Sequence, residues 1–221
     1  MPPSSTIIIT GGTGALGSAS ARSLETLYPG RFHLVLTCRN TTDSRAEAIS
    51  SSLRAQNGSF SLAKLDLADL EEVKVFAGRL KSQIEAEEIP GLAGGGLVNS
   101  AAYMTFVKDA KTKEGRDVMY TINCLAPALL VRCLLPVLMG KDGGGSATVV
   151  NVGSAASEIG RVEYFEEQKE KVKELKSGGK LGFPEGMKRY GSSKLLCLMM
   201  GYAFQRQLYA VSFPLYCPCE K

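Results

Sequence analysis

Short runs of apolar residues alternate along the chain with longer segments in which apolar residues recur every three or four positions. The short runs are rich in β-branched residues and apolar on both faces, which is typical of parallel strands covered by helices. They predict strands at Thr6–Thr10, Phe32–Thr37, Phe60–Leu65, Leu97–Asn99 and Thr148–Val152. The longer segments predict helices at Ala15–Leu27, Ser44–Gln56, Leu70–Glu87, Gly115–Met139 and about Met187–Leu208.

This alternation predicts right-handed βαβ units that form one doubly wound parallel α/β sheet. We find no internal repeat and no interdomain linker, so residues 1–221 are predicted to form a single domain.

Composition excludes several classes of protein. Of the 221 residues, 26 are Lys or Arg and 22 are Asp or Glu, which gives a net charge of +4, and 44% are hydrophobic. This balance does not fit a disordered chain, and so small a surplus of base does not indicate a nucleic-acid partner.

The cysteines and the apolar segments bear on location. The six cysteines are spread through apolar segments without a secretory leader, which indicates reduced thiols in a cytoplasmic protein and no metal site. The longest apolar run, Cys124–Gly140, contains Arg132 and two prolines, so no membrane span is expected.

A glycine-rich turn lies between the first predicted strand and the first predicted helix. It reads Thr10-Gly11-Gly12-Thr13-Gly14-Ala15-Leu16-Gly17. Glycines there permit a tight turn and a close approach of the backbone to a pyrophosphate, whose charge the helix N-terminus favours. The turn therefore predicts a Rossmann-type dinucleotide site, with Gly11, Thr13, Gly14, Leu16 and Gly17 as candidate cofactor-binding residues.

The end of the second predicted strand indicates which dinucleotide. A carboxylate there would bind the ribose 2′-hydroxyl of NAD, but the chain reads Thr37-Cys38-Arg39-Asn40. The guanidinium of Arg39 suits a 2′-phosphate, which favours NADP(H). The alternative is that Arg39 is a solvated residue after a strand.

From about Thr6 to Tyr209 the sequence resembles the short-chain dehydrogenase/reductase family. Thr10, Gly11, Ala15 and Gly17 match the family's glycine turn. The resemblance implies that Asp66 contacts the adenine side of the cofactor, and that Asn99 of Asn99-Ser100-Ala101-Ala102 lies beside its ribose. The family usually has Asn-Asn-Ala-Gly at this place, so the second Asn and the Gly are not matched.

The family's catalytic set follows in order as Asn123, Ser154, Tyr190 and Lys194. The resemblance implies interconversion of a carbonyl and an alcohol, with Tyr190 as the acid, Ser154 bonded to the substrate oxygen, and Lys194 on the nicotinamide ribose. Tyr190 and Lys194 are four residues apart on one helical face, and we expect the ammonium to lower the pKa of the phenol. The alternative is an exposed Tyr and Lys on an amphipathic helix.

Residues 155–189 form an insertion relative to the family's shorter members. It contains a charged stretch, Glu163–Lys176, which predicts a short helix that either shapes the substrate entrance or is a solvated excursion. The insertion and the run Gly186–Tyr190 are similar to fungal reductases of the family that act on ketosteroids and in secondary metabolism.

Residues 209–221 form an atypical tail. The family continues into a sixth strand and substrate-covering helices, whereas this chain offers only Val211–Phe213 as the start of a strand, so the sheet is predicted to be shortened at its C-terminal end. Two readings stay open: an NADP(H)-dependent reductase, or a truncated, inactive relative that binds a nucleotide or another protein. The resemblance also implies a homodimer through the helices that contain Asn123 and Tyr190.

Overall fold

The computed structural model describes residues 2–108, 110–140, 147–171, 179–209 and 215–216. Strands and helices alternate as predicted. The elements, in chain order, are β1 Ser5–Thr10, α1 Ala15–Leu27, β2 Phe32–Cys38, α2 Ser44–Ala55, β3 Ser59–Lys64, α3 Leu70–Glu85, β4 Gly96–Asn99, α4 Val118–Tyr120, a π-helical turn Thr121–Leu125, α5 Ala126–Leu138, β5 Thr148–Asn151, a 3₁₀ turn Ala155–Ile159, α6 Tyr164–Lys171, α7 Phe183–Tyr209 and β6 Leu215–Tyr216.

The strands form one parallel sheet in the order β3-β2-β1-β4-β5-β6. The order reverses between β1 and β4, and in open α/β sheets ligands bind at the carboxyl ends of the strands beside such a reversal. Thr10 and Asn99 are paired at this point, so the predicted glycine turn and Asn99 lie at the same edge of the sheet. The predicted doubly wound α/β fold is confirmed.

Helices cover both faces of the sheet, and successive residues of each strand point to opposite faces. Ile8, on one face, belongs to a core with Phe76 of α3 and Leu130 of α5. Ile7 and Ile9, on the other face, pack in a second core that includes Ala21 of α1 and residues of α2. Because β1 is apolar on both faces, its side chains contribute to both cores.

The helix predicted over Gly115–Met139 begins later than expected and is not uniform. Gly115 has a φ of +75°, which a right-handed helix does not allow, and Asp117 caps the helix by accepting a hydrogen bond from the Tyr120 N–H at 2.9 Å. A π-helical turn then precedes Pro127, which lies in the first turn of α5, where its missing N–H is tolerated.

The same helical segment, Val118–Leu138, passes a length and composition test for a membrane span, with a mean hydropathy of 1.8. Half of the tested window is buried inside the fold. A buried core helix passes the same test, so the finding is weak evidence for a span.

Leu215–Tyr216 pair with β5 as a sixth parallel strand, which is two residues long. In the sequence Pro214 precedes this strand and Pro218 follows it, and neither proline can donate a hydrogen bond to a ladder. The strand start predicted at 211–213 lies outside the described residues. So do Cys217 and Cys219, whereas Cys38, Cys124, Cys133 and Cys197 form no disulfide within the described part of the chain.

Candidate active site

A cavity of about 410 Å³ opens at the carboxyl ends of β1, β2 and β3, beside the start of the loop that follows β4. Seven of the predicted cofactor-binding residues line it: Gly11, Thr13, Gly14, Leu16, Gly17, Arg39 and Asp66. Asn99, Tyr190 and Lys194 are not among its lining residues. The structure therefore brings together residues from three separate loops that the sequence could only place one at a time.

The shape of the glycine turn depends on one residue with a positive φ and on one close approach between backbone atoms. Gly11 adopts a φ of +65°, a conformation that favours glycine. A Cβ on Gly17 would lie 2.4 Å from the Gly11 carbonyl oxygen, so a side chain there would push the turn away from α1. Gly14 is the N-cap of α1 and provides no side-chain cap. The first-turn N–H groups of α1 are thus left for an anionic ligand at the cavity.

Two arginines line the cavity. Arg39 is exposed directly after β2, and Arg45 is exposed in the first turn of α2. Arg45 was not predicted, although Asp43 offers a signal because it is the N-cap of α2 and accepts a hydrogen bond from the Ala46 N–H at 2.9 Å. The cap fixes where α2 begins and so brings a second guanidinium beside the first.

Asp66 and Asn99 occupy different environments. The Asp66 side chain lines the cavity and accepts a hydrogen bond from the Ala68 N–H at 2.9 Å. Asn99 is buried, and its side-chain amide donates to Asn151 Oδ1 at 2.8 Å, which joins β4 to β5. The side-chain oxygen of Asn99 has no partner among the described residues. Asn99 thus lies inside the sheet edge behind the cavity, and the predicted contact with a ribose stays a prediction.

Asn123 is held in the π-helical turn by three hydrogen bonds. Its Oδ1 accepts from the Tyr103 N–H at 2.8 Å, and its Nδ2 donates to the Tyr103 carbonyl at 2.9 Å and to Ser193 Oγ at 2.9 Å. Ser193 Oγ in turn donates to the Tyr190 carbonyl at 2.7 Å. Asn123 therefore ties the loop after β4 to the helix that carries Tyr190.

Tyr190 is partly buried and shares a hydrogen bond with Ser154. Burial raises the pKa of the Tyr190 phenol above 10.0, and the Ser154 hydrogen bond opposes that shift without cancelling it. The net shift is therefore upward, opposite to the lowering that we expected from the Lys194 ammonium. The Lys194 ammonium is buried and donates to the Val152 carbonyl at 2.8 Å, at the end of β5.

The residues between Tyr190 and Lys194 dock the segment that carries Ser154. A Cβ on Gly191 would lie 2.1 Å from the Ala156 carbonyl oxygen, and one on Gly160 would lie 2.6 Å from the Gly191 carbonyl oxygen. Ser192 Oγ accepts a hydrogen bond from the Arg161 N–H at 2.9 Å. These contacts bring the 3₁₀ turn against α7 and allow Ser154 to reach Tyr190. Sequence reasoning did not identify Gly160 or Gly191.

Arg189 precedes Tyr190 and forms a buried ion pair with Asp117. Its Nη2 and Nε donate to Asp117 Oδ2 at 2.6 and 2.8 Å, and its Nη1 donates to the Val107 carbonyl at 2.6 Å. The Arg189 side chain is 4% exposed and that of Asp117 is 24% exposed. This pair fastens the loop after β4 and the start of α4 to α7 beside the site.

The first part of the insertion packs against the fold as a helix rather than lying in solvent. Tyr164 and Phe165, at the start of α6, are buried. The Tyr164 hydroxyl donates to Glu185 Oε1 at 2.8 Å, and the Phe165 ring stacks on Tyr120 with centroids 4.9 Å apart. The rest of the short helix predicted within Glu163–Lys176, residues 172–176, lies outside the described residues.

The helix that carries Tyr190 begins four residues earlier than predicted. α7 starts at Phe183, because Pro184 is tolerated in a first helical turn and Glu185 suits its positive end. The predicted insertion therefore contributes its last residues to the helix of Tyr190.

Comparison with known proteins identifies relatives by sequence. Residues 5–165 match the family described as short chain dehydrogenase. The chain is 33% identical over 165 residues to polyprenol dehydrogenase of Mus musculus, covering 73% of this chain and 45% of that protein. It is 27% identical over 169 residues to retinol dehydrogenase 12 of Homo sapiens, covering 76% and 49%. The chain spans about half the length of these curated relatives.

Solved structures share the fold at low identity. A metagenomic short-chain oxidoreductase in complex with NADP superposes with a TM-score of 0.69 at 19% identity, covering 98% of this chain and 81% of that one. The NADPH-bound carbonyl reductase from chicken fatty liver superposes with a TM-score of 0.67 at 19% identity, covering 97% and 78%.

Proposed function

The chain belongs to the short-chain dehydrogenase family, and on that premise we propose that it is an NADP(H)-dependent oxidoreductase interconverting a carbonyl and a secondary alcohol. The observation that carries this proposal is the proximity of Ser154 to Tyr190, which follows from the close packing of the 3₁₀ turn on α7. Tyr190 lies on α7, and Asn123 ties this helix to Tyr103 in the loop that lines the cavity. A candidate acid and a second hydroxyl, on elements tied to the loop of a cavity lined by the glycine turn, suit carbonyl reduction.

The cavity residues fit NADP(H). The glycine turn and the uncapped start of α1 would hold the pyrophosphate, Arg39 and Arg45 would hold the 2′-phosphate, and Asp66 would lie on the adenine side. The NADP and NADPH bound to the two solved neighbours support this assignment. When bound, NADPH supplies the hydride for the carbonyl carbon.

The chain's own residues supply the proton and the positioning. The Tyr190 phenol donates its proton to the substrate oxygen, and the Ser154 hydroxyl bonds the same oxygen. Asn123 holds the loop and α7 together, and Lys194, fixed on the Val152 carbonyl, lies one helical turn after Tyr190, where we propose that it holds the ribose.

Replacement of either arginine should weaken the binding of NADPH much more than the binding of NADH. We expect Arg39→Ala and Arg45→Ala each to weaken NADPH binding about tenfold or more, because each removes a charge-assisted hydrogen bond to the 2′-phosphate. NADH binding should change little, because NADH has a hydroxyl at that position. Calorimetric titration measures both, with Arg22→Ala on α1 as a control arginine that does not line the cavity. Equal losses for both cofactors would contradict the assignment.

The raised pKa of Tyr190 predicts how reduction depends on pH. Only the neutral phenol can donate a proton, so kcat/KM for reduction should be level from about pH 7 to about pH 10 and fall above that. Ser154→Ala removes the hydrogen bond that lowers this pKa, so kcat/KM of this variant should begin to fall at a still higher pH. A profile of kcat/KM against pH checks both. A limb near pH 8 in the parent chain would mean that the phenol is not the acid in the described environment.

Three further features stay predictions. A homodimer through the helices of Asn123 and Tyr190 is supported by Met199 and Tyr202, which are exposed on α7 at 44% and 46%. The cytoplasmic location and the narrower similarity to fungal ketosteroid and secondary-metabolite reductases stay proposals from the sequence. The polyprenol and retinol named in the two curated relatives are apolar alcohols, and they support an apolar carbonyl compound or alcohol as the substrate.

A further inference from the structure

A second cavity, shallow and largely open to solvent, with a volume of about 500 Å³, lies beside the start of α7. Four of the five side chains that line it are apolar: Phe106, Val107, Leu181 and Phe183, with Lys180 as the fifth. Two segments more than 70 residues apart form its walls. They are joined by hydrogen bonds from the Leu181 N–H to the Phe106 carbonyl at 2.6 Å and from the Lys108 N–H to the Gly179 carbonyl at 2.8 Å. We call this cavity the apolar subsite.

The apolar subsite leaves large hydrophobic side chains accessible. Phe183 is 71% exposed and Val107 is 42% exposed, and the Phe106 and Phe183 rings stack with centroids 6.1 Å apart. Single exposed hydrophobic residues are common, whereas several grouped around a concave surface mark a binding site.

The helix α7 places the subsite close to Tyr190. Gly186 and Tyr190 are four residues apart and lie on one face of α7. A Cβ on Gly186 would lie 2.2 Å from the Phe106 ring, so the ring packs directly on the glycine. Because a helix rises 1.5 Å per residue, the wall of the subsite lies about 6 Å along the helix axis from Tyr190.

The loop after β4 links the subsite to the first cavity. Tyr103 lines the first cavity and is clamped by Asn123, and Phe106 lines the apolar subsite. Three residues of extended chain span at most about 10 Å. The subsite and the cofactor cavity therefore lie within one short loop of each other, with Asn123 fixing the loop at its cofactor end.

We propose that the apolar subsite binds the apolar part of the substrate while its carbonyl or hydroxyl group lies at Tyr190. This inference rests on the proposed function and names its substrate class: an aldehyde, ketone or alcohol with an uncharged hydrocarbon portion long enough to reach from Tyr190 past Gly186. The volume suits a hydrocarbon portion of drug size. The occupant is the substrate itself, because the subsite lies next to the candidate acid on the same helical face.

The first test measures kcat/KM for butanal, hexanal, octanal and decanal with NADPH. Burial of each further methylene in the subsite should raise kcat/KM about two- to fourfold until the subsite is filled. Val107→Asp places a carboxylate on its wall at an exposed position, and it should lower the ratio of decanal to butanal kcat/KM at least tenfold. The matched control, Val75→Asp on α3, is 67% exposed and should keep the parent ratio. An unchanged ratio in Val107→Asp would overturn the proposal.

A second measurement separates this inference from the proposed function. Calorimetric titration with 1-decanol needs no turnover, and we expect binding by the parent chain and by Val75→Asp that Val107→Asp weakens at least tenfold. Such binding without any turnover of aldehydes would keep the apolar subsite and reject the proposed function. If the parent chain does not bind 1-decanol, the proposed subsite is overturned. It is also overturned if the parent chain self-associates through this surface instead of binding 1-decanol, and Val107→Asp abolishes that self-association.

Discussion

Tyr190→Phe should lower kcat for carbonyl reduction about a thousandfold and leave NADPH binding within about twofold. The substitution removes the hydroxyl that donates the proton, and a positioned general acid contributes about a hundred- to ten-thousandfold to rate. The ring itself is retained in its partly buried position, so the fold should be preserved. Steady-state turnover and calorimetric titration with NADPH measure the two effects.

Tyr202→Phe is the matched control for this substitution. Tyr202 lies on the same helix, is 46% exposed and is not part of the site, so its loss of a hydroxyl should change neither rate nor binding. Comparable turnover in Tyr190→Phe and the parent chain would show that another group protonates the substrate oxygen.

Asp117→Ala should lower the free energy of unfolding by about 3 kcal/mol. The substitution leaves the Arg189 guanidinium buried with its charge unpaired, and breaking a buried ion pair from one side costs about 3–5 kcal/mol. The lower end applies because Asp117 is 24% exposed. The change also removes the cap that Asp117 gives to the Tyr120 N–H. Urea denaturation followed by circular dichroism measures the effect.

Glu71→Ala provides the comparison for an exposed ion pair. Glu71 and Lys74 pair at 2.7 Å on the surface of α3, with side chains 70% and 52% exposed, and solvent screens such pairs strongly. Its unfolding free energy should stay close to that of the parent chain. A loss in Asp117→Ala no larger than in Glu71→Ala would contradict the account of Arg189 as a buried, paired cation.

Local sequence rules predicted the elements well where neighbouring residues decide the structure. The bounds of α1 were predicted without error, because the glycine turn fixes its start and its apolar spacing defines its length. The helix predicted from Gly115 was wrong at its start, since periodicity does not report a positive φ, and the π-helical turn around Asn123 depends on packing against Tyr103 and Ser193.

The candidate site also divides into features that short sequence motifs predict and features that depend on contacts between distant segments. The glycine turn, Arg39 and Asp66 were recognisable, because short motifs carry them, and the structure places all of them at one cavity. Contacts between distant segments were not recognisable. Arg189 meets Asp117 across 72 positions of chain, and the close approach of Gly160 to Gly191 is visible only when the 3₁₀ turn and α7 are packed together. The burial that sets the pKa of Tyr190 is likewise a property of the fold.

The most direct test of the proposed function follows deuterium from the cofactor into the product. The chain is incubated with NADPH that carries deuterium at C4 on the transferable face and with a panel of aldehydes and ketones, and the products are analysed by mass spectrometry. We expect one deuterium at the carbinol carbon of the product alcohol, and none with Tyr190→Phe on the same timescale. A folded chain that binds NADPH but transfers deuterium to no member of the panel would contradict the proposal that it is a carbonyl reductase.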